Sequence, residues 1–279
     1  MNNHIKYSII KRVLPKYVLL TVILMCLACN KSEEQTVATF SRLVWGDEFN
    51  TDGALNSSLW TYDIGTGQNG WGNNELQYYT DRPENVIVQN GILIITARKE
   101  AFNGSGYTSA RIKTEGLFEE AYGRFEARIR VPYGQGMWPA FWLLGNNCNE
   151  PGFTWPNCGE IDIMEFRGQE PTKIHGSVHG PGYSAGNAIT KSYQLTNDRF
   201  DTGFHVFGIE WAPDYVNFYV DDVLYNQITR EDVTGTWVLD HPFYIIINLA
   251  VGGGFVGPPN NETVFPQSML VDYVRVYKQ

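Results

Sequence analysis

Glu160, Asp162 and Glu165 stand within six residues of one another in the string Gly159-Glu-Ile-Asp-Ile-Met-Glu-Phe166. Ile161, Ile163, Met164 and Phe166 give that string the composition of a buried strand. Carboxylates are among the residues least often buried without a partner, and no cationic residue lies in the string. Such a conflict between local rules marks a functional site. Side chains alternate along a strand, so Glu160 and Asp162 share a face and strict alternation would send Glu165 to the other. One extra residue at Ile163-Met164, a β-bulge, returns Glu165 to the face of the other two. The expectation is a bulged strand with three acids aimed into a cleft.

Two carboxyl groups in opposite protonation states are the minimal equipment for cleaving an acetal such as a glycosidic bond. One attacks or activates water as the anion. The other must hold its proton near neutral pH, which requires a raised pKa. A third acid can create the asymmetry: Asp162 bonding to Glu160, with the clustered charge keeping Glu165 protonated. A bivalent-cation site or a salt-bridged strand is the competing reading of the same string.

The elements that must position these acids follow from the rest of the chain. Its 279 residues, 43% of them apolar, suffice for one large core. Residues 1–28 read as an export signal: Lys6, Lys11, Arg12 and Lys16 precede the apolar run Tyr17–Ala28, which at twelve residues is too short to span a bilayer. Leu27-Ala28-Cys29 has the form of a lipoprotein cleavage site, with Cys29 lipidated as the first mature residue. Residues 29–38 then form a polar, flexible tether, and 39–279 a single catalytic domain. The location implied is the outer membrane or cell surface of a bacterium, otherwise the periplasm or medium. Membrane contact would come only through the lipid anchor. Cleavage removes four positive charges and no acid, driving the net charge of −9 further negative. That field disfavours nucleic acid and anionic lipid and leaves a neutral polymer as partner. The expected state is a monomer. Cys148 and Cys158, ten apart in a loop of an exported protein, form a disulfide or remain as thiols; the first is expected.

Strand signals dominate. Tyr122–Val131 alternates Phe125, Ala127, Ile129 and Val131 against Arg124, Glu126, Arg128 and Arg130. Residues 85–96 read as a hairpin about Asn90-Gly91, and Val216–Val220 and Val223–Tyr225 flank a turn at Asp221-Asp222. Phe243–Leu249 and Leu270–Tyr277 complete the set. Many short strands joined by Gly, Pro and Asn turns predict an all-β fold, an antiparallel β-sandwich of jelly-roll, concanavalin A-like type with a concave substrate cleft.

Trp138 and Trp142, four apart, face one side of a strand, and Trp155 precedes the acids by five residues. Indole rings near acids suit the flat C–H faces of sugars; each ring alone reads first as core packing, and it is the three around one acid cluster that point to function. Asn73, Asn74, Glu75 and Gln77, in a Gly/Asn-rich loop, offer partners for hydroxyls or simply make turns. Arg111 is read as a sugar ligand or a salt-bridge partner. His179 is assigned to the cleft and His175 to structure.

Together these segments resemble glycoside hydrolase family 16, in its laminarinase-like branch of endo-β-1,3-glucanases. The likeness spans Leu43 to Tyr277 and rests on six motifs. They are Trp45-Gly-Asp-Glu-Phe49, Gly72-Asn-Asn-Glu-Leu-Gln-Tyr-Tyr-Thr80, Tyr122-Gly-Arg-Phe-Glu-Ala-Arg128, Trp138-Pro-Ala-Phe-Trp142, Gly159-Glu-Ile-Asp-Ile-Met-Glu165 and Asp272-Tyr-Val-Arg-Val-Tyr277. It implies a retaining, double-displacement enzyme with Glu160 as nucleophile, Glu165 as acid/base and Asp162 as helper. Trp138, Trp142, Trp155, Arg111, Asn73 and His179 match positions of the sugar cleft. The extra residue at Ile163-Met164 favours β-1,3-glucan. The alternatives are a mixed-linkage β-1,3-1,4-glucanase or a non-catalytic β-glucan-binding protein. The resemblance implies no cofactor for catalysis. It also implies a structural Ca²⁺ bound by the carboxylate of Asp272 and the backbone carbonyls of Glu48 and Gly91.

Overall fold

The computed structural model describes residues 40–279. The expected signal peptide, Cys29 and the tether at 29–38 lie outside the described residues. Among those described, strands are arranged in one sheet of ten and one of eight, and the only helical pieces are the turns Gly70–Asn74 and Ala185–Asn187. Every strand pairing is antiparallel except that of Gln77–Tyr79 with Ser105–Ser109. The two sheets make a jelly-roll β-sandwich.

The alternating segment forms the strand Gly123–Arg130 in the ten-stranded sheet. Phe125, Ala127 and Ile129 are fully buried in the core. They join Phe141, Leu143, Ile161, Ile163, Ile245 and Ile247 from the other sheet in one apolar cluster. The predicted hairpins form where the chain supplies residues that tolerate the left-handed region. Asn90 (φ 54°) and Gly91 (φ 75°) join Val86–Gln89 to Ile92–Phe102; Asp221 (φ 49°) and Asp222 (φ 63°) join Tyr215–Val220 to Val223–Thr229.

The eight-stranded sheet carries the site. Across it lie Ile189–Gln194, the histidine strand Lys173–His179, the acid strand Glu160–Phe166, the tryptophan strand Met137–Gly145, the central strand Phe243–Val251, Arg111–Lys113 and Thr61–Tyr62. All nine residues of the central strand are buried. Its inner side chains Phe243, Ile245, Ile247, Leu249 and Val251 belong to the core. On its outer face Asn248 bonds to Trp142 and Tyr79, and Ala250 packs with Trp138.

Candidate active site

The bulge lies where the sequence requires it. On the tryptophan strand, Trp142 pairs with Asp162 but Phe141 pairs with Met164, so Ile163 is the additional residue. On the other side Asp162 pairs with Ser177 and Glu165 with His175, again with one residue too many between the acids. Ile163 and Met164 are both buried, 1% and 0% exposed, in the core. Two successive apolar side chains turn inward, and Glu160, Asp162 and Glu165 emerge on the outer face together.

Three donors serve the three acids. Trp155 Nε1 donates to Glu160 Oε2 at 3.0 Å, and Trp138 Nε1 to Glu165 Oε1 at 3.1 Å. His179 Nε2 lies 2.9 Å from Asp162 Oδ2 and 3.7 Å from Glu160 Oε1. The backbone N–H of Ala185 donates to His179 Nδ1 at 3.2 Å, which leaves the neutral ring its proton on Nε2, facing the acids. Asp162 is 4% exposed, and among the described residues no lysine or arginine ion-pairs with any of the three. Burial, then the charge of Asp162, pushes both Glu160 and Glu165 up to about 8. Burial raises Asp162 to about 7, against the bond it shares with Glu160. The cluster therefore retains protons at neutral pH and titrates as a unit. Glu160 has an indole N–H and the histidine within 3.7 Å; Glu165 has one indole N–H in contact, and His179 and Arg167 act on it only through longer-range charge. The anion is better stabilised on Glu160 and the proton on Glu165.

Trp138 combines the two roles weighed for it. It is 9% exposed and packs with Phe255, Ala250 and Val256 in a small cluster separate from the core, while its N–H reaches Glu165. Trp155 is 43% exposed. It rides on the loop closed by the Cys148–Cys158 disulfide, which is formed. Trp142 lies opposite Asp162. Arg111 is ion-paired to Asp63 at 2.9 Å and sits over both Trp71 (4.7 Å) and Trp142 (4.8 Å). His179 reaches the acids themselves, closer to the chemistry than a sugar ligand. His175 is structural as expected: buried, bonded through Nδ1 to Ser192 at 2.9 Å, and pushed down to about 4 by burial and by Arg167 and Lys173. Asn73 donates weakly to Glu75 at 3.4 Å.

Residues the sequence reading did not select also reach the site. Asn248 receives the Trp142 N–H at 2.8 Å, Trp71 covers Arg111, and Phe255 packs on Trp138 with Arg167 over its ring at 4.1 Å. Asn248 carried a signal, as the lone amide in an apolar strand. Phe255 and Trp71 carried none.

The side-chain donors of Glu160, Asp162 and His179 lie within 4.8 Å of one another, close enough to hold a metal ion. The Trp155 N–H occupies Glu160 Oε2, while Oε1 is the oxygen 3.7 Å from His179 Nε2. For the expected calcium set, strand register gives only the neighbourhood of Asp272. Asp47 pairs with Val274 and Leu93 with Val271, which places Glu48 and the Asn90-Gly91 turn to either side of Asp272. Asp272 is itself the extra residue where register shifts between Val271 and Tyr273. Arg128 takes its Oδ2 at 2.5 Å, so Oδ1 is the carboxylate oxygen that a cation would use. All-oxygen donors of this kind fit a hard cation.

Comparison with known proteins agrees with this geometry. Residues 73–274 match the family profile described as Glycosyl hydrolases family 16. The chain is 42% identical over 268 residues to a beta-glucanase of Rhodothermus marinus, covering 93% of each. Among solved structures it is similar to the endo-beta-1,3-glucanase of Pyrococcus furiosus (51% identity, TM-score 0.80, 85% of this chain and 94% of that one). It is also similar to the catalytic domain of an endo-1,3-beta-glucanase (laminarinase) of Thermotoga petrophila RKU-1 (47%, TM-score 0.81, 85% and 98%).

Proposed function

The chain belongs to glycosyl hydrolase family 16, and on that premise we propose that it cleaves internal β-1,3-glucosidic bonds of laminarin-like glucans with retention. The observation that carries the reading is the acid strand: one buried and two part-buried carboxyl groups on one bulged face, served by N–H donors and ion-paired to no arginine or lysine among the described residues. The Glu160 carboxylate attacks the anomeric carbon as Glu165 passes its proton to the departing glycosidic oxygen. A glycosyl ester on Glu160 results. Glu165, now the base, takes a proton from water; the hydroxyl attacks the same carbon and frees Glu160. Asp162, held by His179, bonds to Glu160 and keeps negative charge beside Glu165. Trp142 and Trp155 offer flat faces to the sugar rings, and Trp138 orients the acid.

Release of reducing ends from laminarin, lichenan and agarose side by side tests the reading. Laminarin is expected to be cut fastest, with mid-chain products. Faster cutting of lichenan would make the enzyme a mixed-linkage glucanase, and binding without new ends would make the protein a glucan-binding one.

Two further readings belong to the same proposal. Ca²⁺ at Asp272, Glu48 and Gly91 supports the ten-stranded sheet; a melting temperature that neither chelator nor added Ca²⁺ moves would refute it. Cys29 anchors the exported protein through lipid; fatty-acid labelling of wild type but not Cys29→Ala is the expected result, and no label on wild type the contrary one.

A further inference from the structure

On the flank of the site formed by the central strand, one hydrogen-bond chain has a fixed direction. Indole nitrogen can only donate. Trp142 Nε1 donates to Asn248 Oδ1 at 2.8 Å, which turns the Asn248 amide nitrogen away, toward the Tyr79 hydroxyl at 3.3 Å. Tyr79 thus accepts, and its own proton goes on to Glu75 Oε2 at 3.0 Å. A second branch is equally fixed. The backbone N–H of Val251 donates to Gln77 Oε1 at 2.7 Å, so the Gln77 nitrogen faces Glu75 Oε2, also at 2.7 Å. Asn73 supplies a third donor to Glu75. Every proton in the network runs toward Glu75, and none runs out of it.

The chain is sealed. Tyr79 and Gln77 are fully buried and Asn248 is 6% exposed. Glu75, Gln77 and Tyr79 share a face by alternation, which is why three polar groups of one short segment meet the same strand. The turn before them is built to deliver Glu75. Gly70 has φ 59°, and a Cβ there would stand 2.5 Å from the Glu75 backbone nitrogen. Trp71, held at φ 55° where a bulky residue is strained, places its ring 4.7 Å from the same Arg111 guanidinium that lies 4.8 Å from the Trp142 ring. Trp142 is thereby fixed by its N–H and by the guanidinium over its ring.

We propose that Glu75 is a positioning residue: as the terminal acceptor of the Tyr79–Asn248 chain it sets the orientation of the Trp142 indole and so the affinity for glucan. The proposal rests on the substrate reading above and deepens it. Burial raises the Glu75 carboxyl, while Gln77 and Arg111 pull it back, as expected of an acid that must accept from all sides.

Tyr79→Phe cuts the chain in its middle without changing its shape, and Glu75→Gln places an NH2 group among donors. Both are expected to raise KM for laminarin about fivefold, the scale of one net hydrogen bond, with kcat within about twofold. In a Trp142→Phe background, where the first donor is gone, Tyr79→Phe should have no further effect on KM. The Trp142 indole N–H resonance, protected from exchange in wild type, should shift and lose protection in both single variants, with or without sugar. Unchanged KM and an unmoved indole resonance would overturn the proposal. So would a KM effect of equal size in the Trp142→Phe background, because the residues would then be acting independently. Wild type that fails to bind laminarin while its indole resonance responds as described would count against the substrate reading alone.

Discussion

Two groups of buried acids occupy the two sheets, and they are treated in opposite ways. In the ten-stranded sheet Glu126 and Glu210 are 7% and 4% exposed. Arg124 reaches both, at 2.8 and 3.5 Å, and also Asp222 at 2.6 Å. Tyr219 donates to Glu210 at 2.6 Å. Burial works against the charge on Arg124, but the carboxylates around it more than offset this and hold its pKa above the ordinary value. In the eight-stranded sheet Asp162 is as hidden (4% exposed) and Glu160 and Glu165 are part-buried beside it, yet the three receive only two indole N–H groups and a histidine. Burial of an acid is therefore no mark of function by itself. A buried acid left without a full counter-charge is, because its proton then comes and goes near neutral pH.

Four tests bear on that contrast, from the largest expected effect down. Glu160→Gln or Glu165→Gln should lower turnover at least about a hundredfold with the fold intact by circular dichroism. Glu126→Gln should leave turnover within about twofold. If Glu126→Gln were as damaging to activity as Glu165→Gln, the contrast would be empty.

Arg124→Met should cost about 3 kcal/mol by leaving buried carboxylates unpaired, read as a fall in melting temperature of about 6–12 °C for a domain of this size. Activity at 25 °C should survive. A stable but inactive Arg124→Met protein would contradict the assignment of that cluster to stability.

The melting temperature of Glu165→Gln against wild type should depend on pH with a definite sign. The folded carboxyl titrates near 8 and the unfolded one near its ordinary value of about 4.3. Folding thus retains a proton throughout that window. Its stabilising contribution is complete below the lower value and is lost as pH rises through the upper one. The variant has no such loss, so the difference in melting temperature should move steadily in its favour as pH rises from 4 to 8, with no gain on wild type at pH 4. A constant difference across the range would mean that the buried acid is not held protonated.

The smallest effect is expected of Trp155→Phe. Without its N–H the Glu160 anion loses a donor, and the acid limb of kcat/KM should move up by about half a pH unit. A downward shift would show that the indole does not stabilise the anion.

Much of this contrast was legible in the chain. The acid string violates strand packing so strongly that its bulge, its shared face and the inward turn of Ile163 and Met164 all follow from alternation. Trp138 and Trp142 follow from the same rule, and the Asn90-Gly91 and Asp221-Asp222 turns from residues that accept positive φ. Other parts depend on partners distant in sequence. Arg111 alone does not reveal Asp63 or Trp71. His179 reaches Asp162 only because register sets it opposite Glu160, and a one-residue slip would have sent it inward. Asn248 was readable: an amide inside Ile-Ile-Ile-Asn-Leu-Ala-Val is the same kind of anomaly as the acids. Glu75, Gln77 and Tyr79 were readable as an alternating polar face, once a buried strand was known to lie against them.

The central claim is that two uncompensated acids on one bulged strand divide the work between attack and proton transfer. Stopped-flow release of phenol from a laminaribioside with a good phenolic leaving group, which needs little acid assistance, tests it most directly. Glu165→Gln should release a burst of about one equivalent and then stall, because Glu160 still forms the ester while the base that hydrolyses it is gone. Glu160→Gln should give no burst. A burst from Glu160→Gln, or none from either variant beside active wild type, would contradict the account.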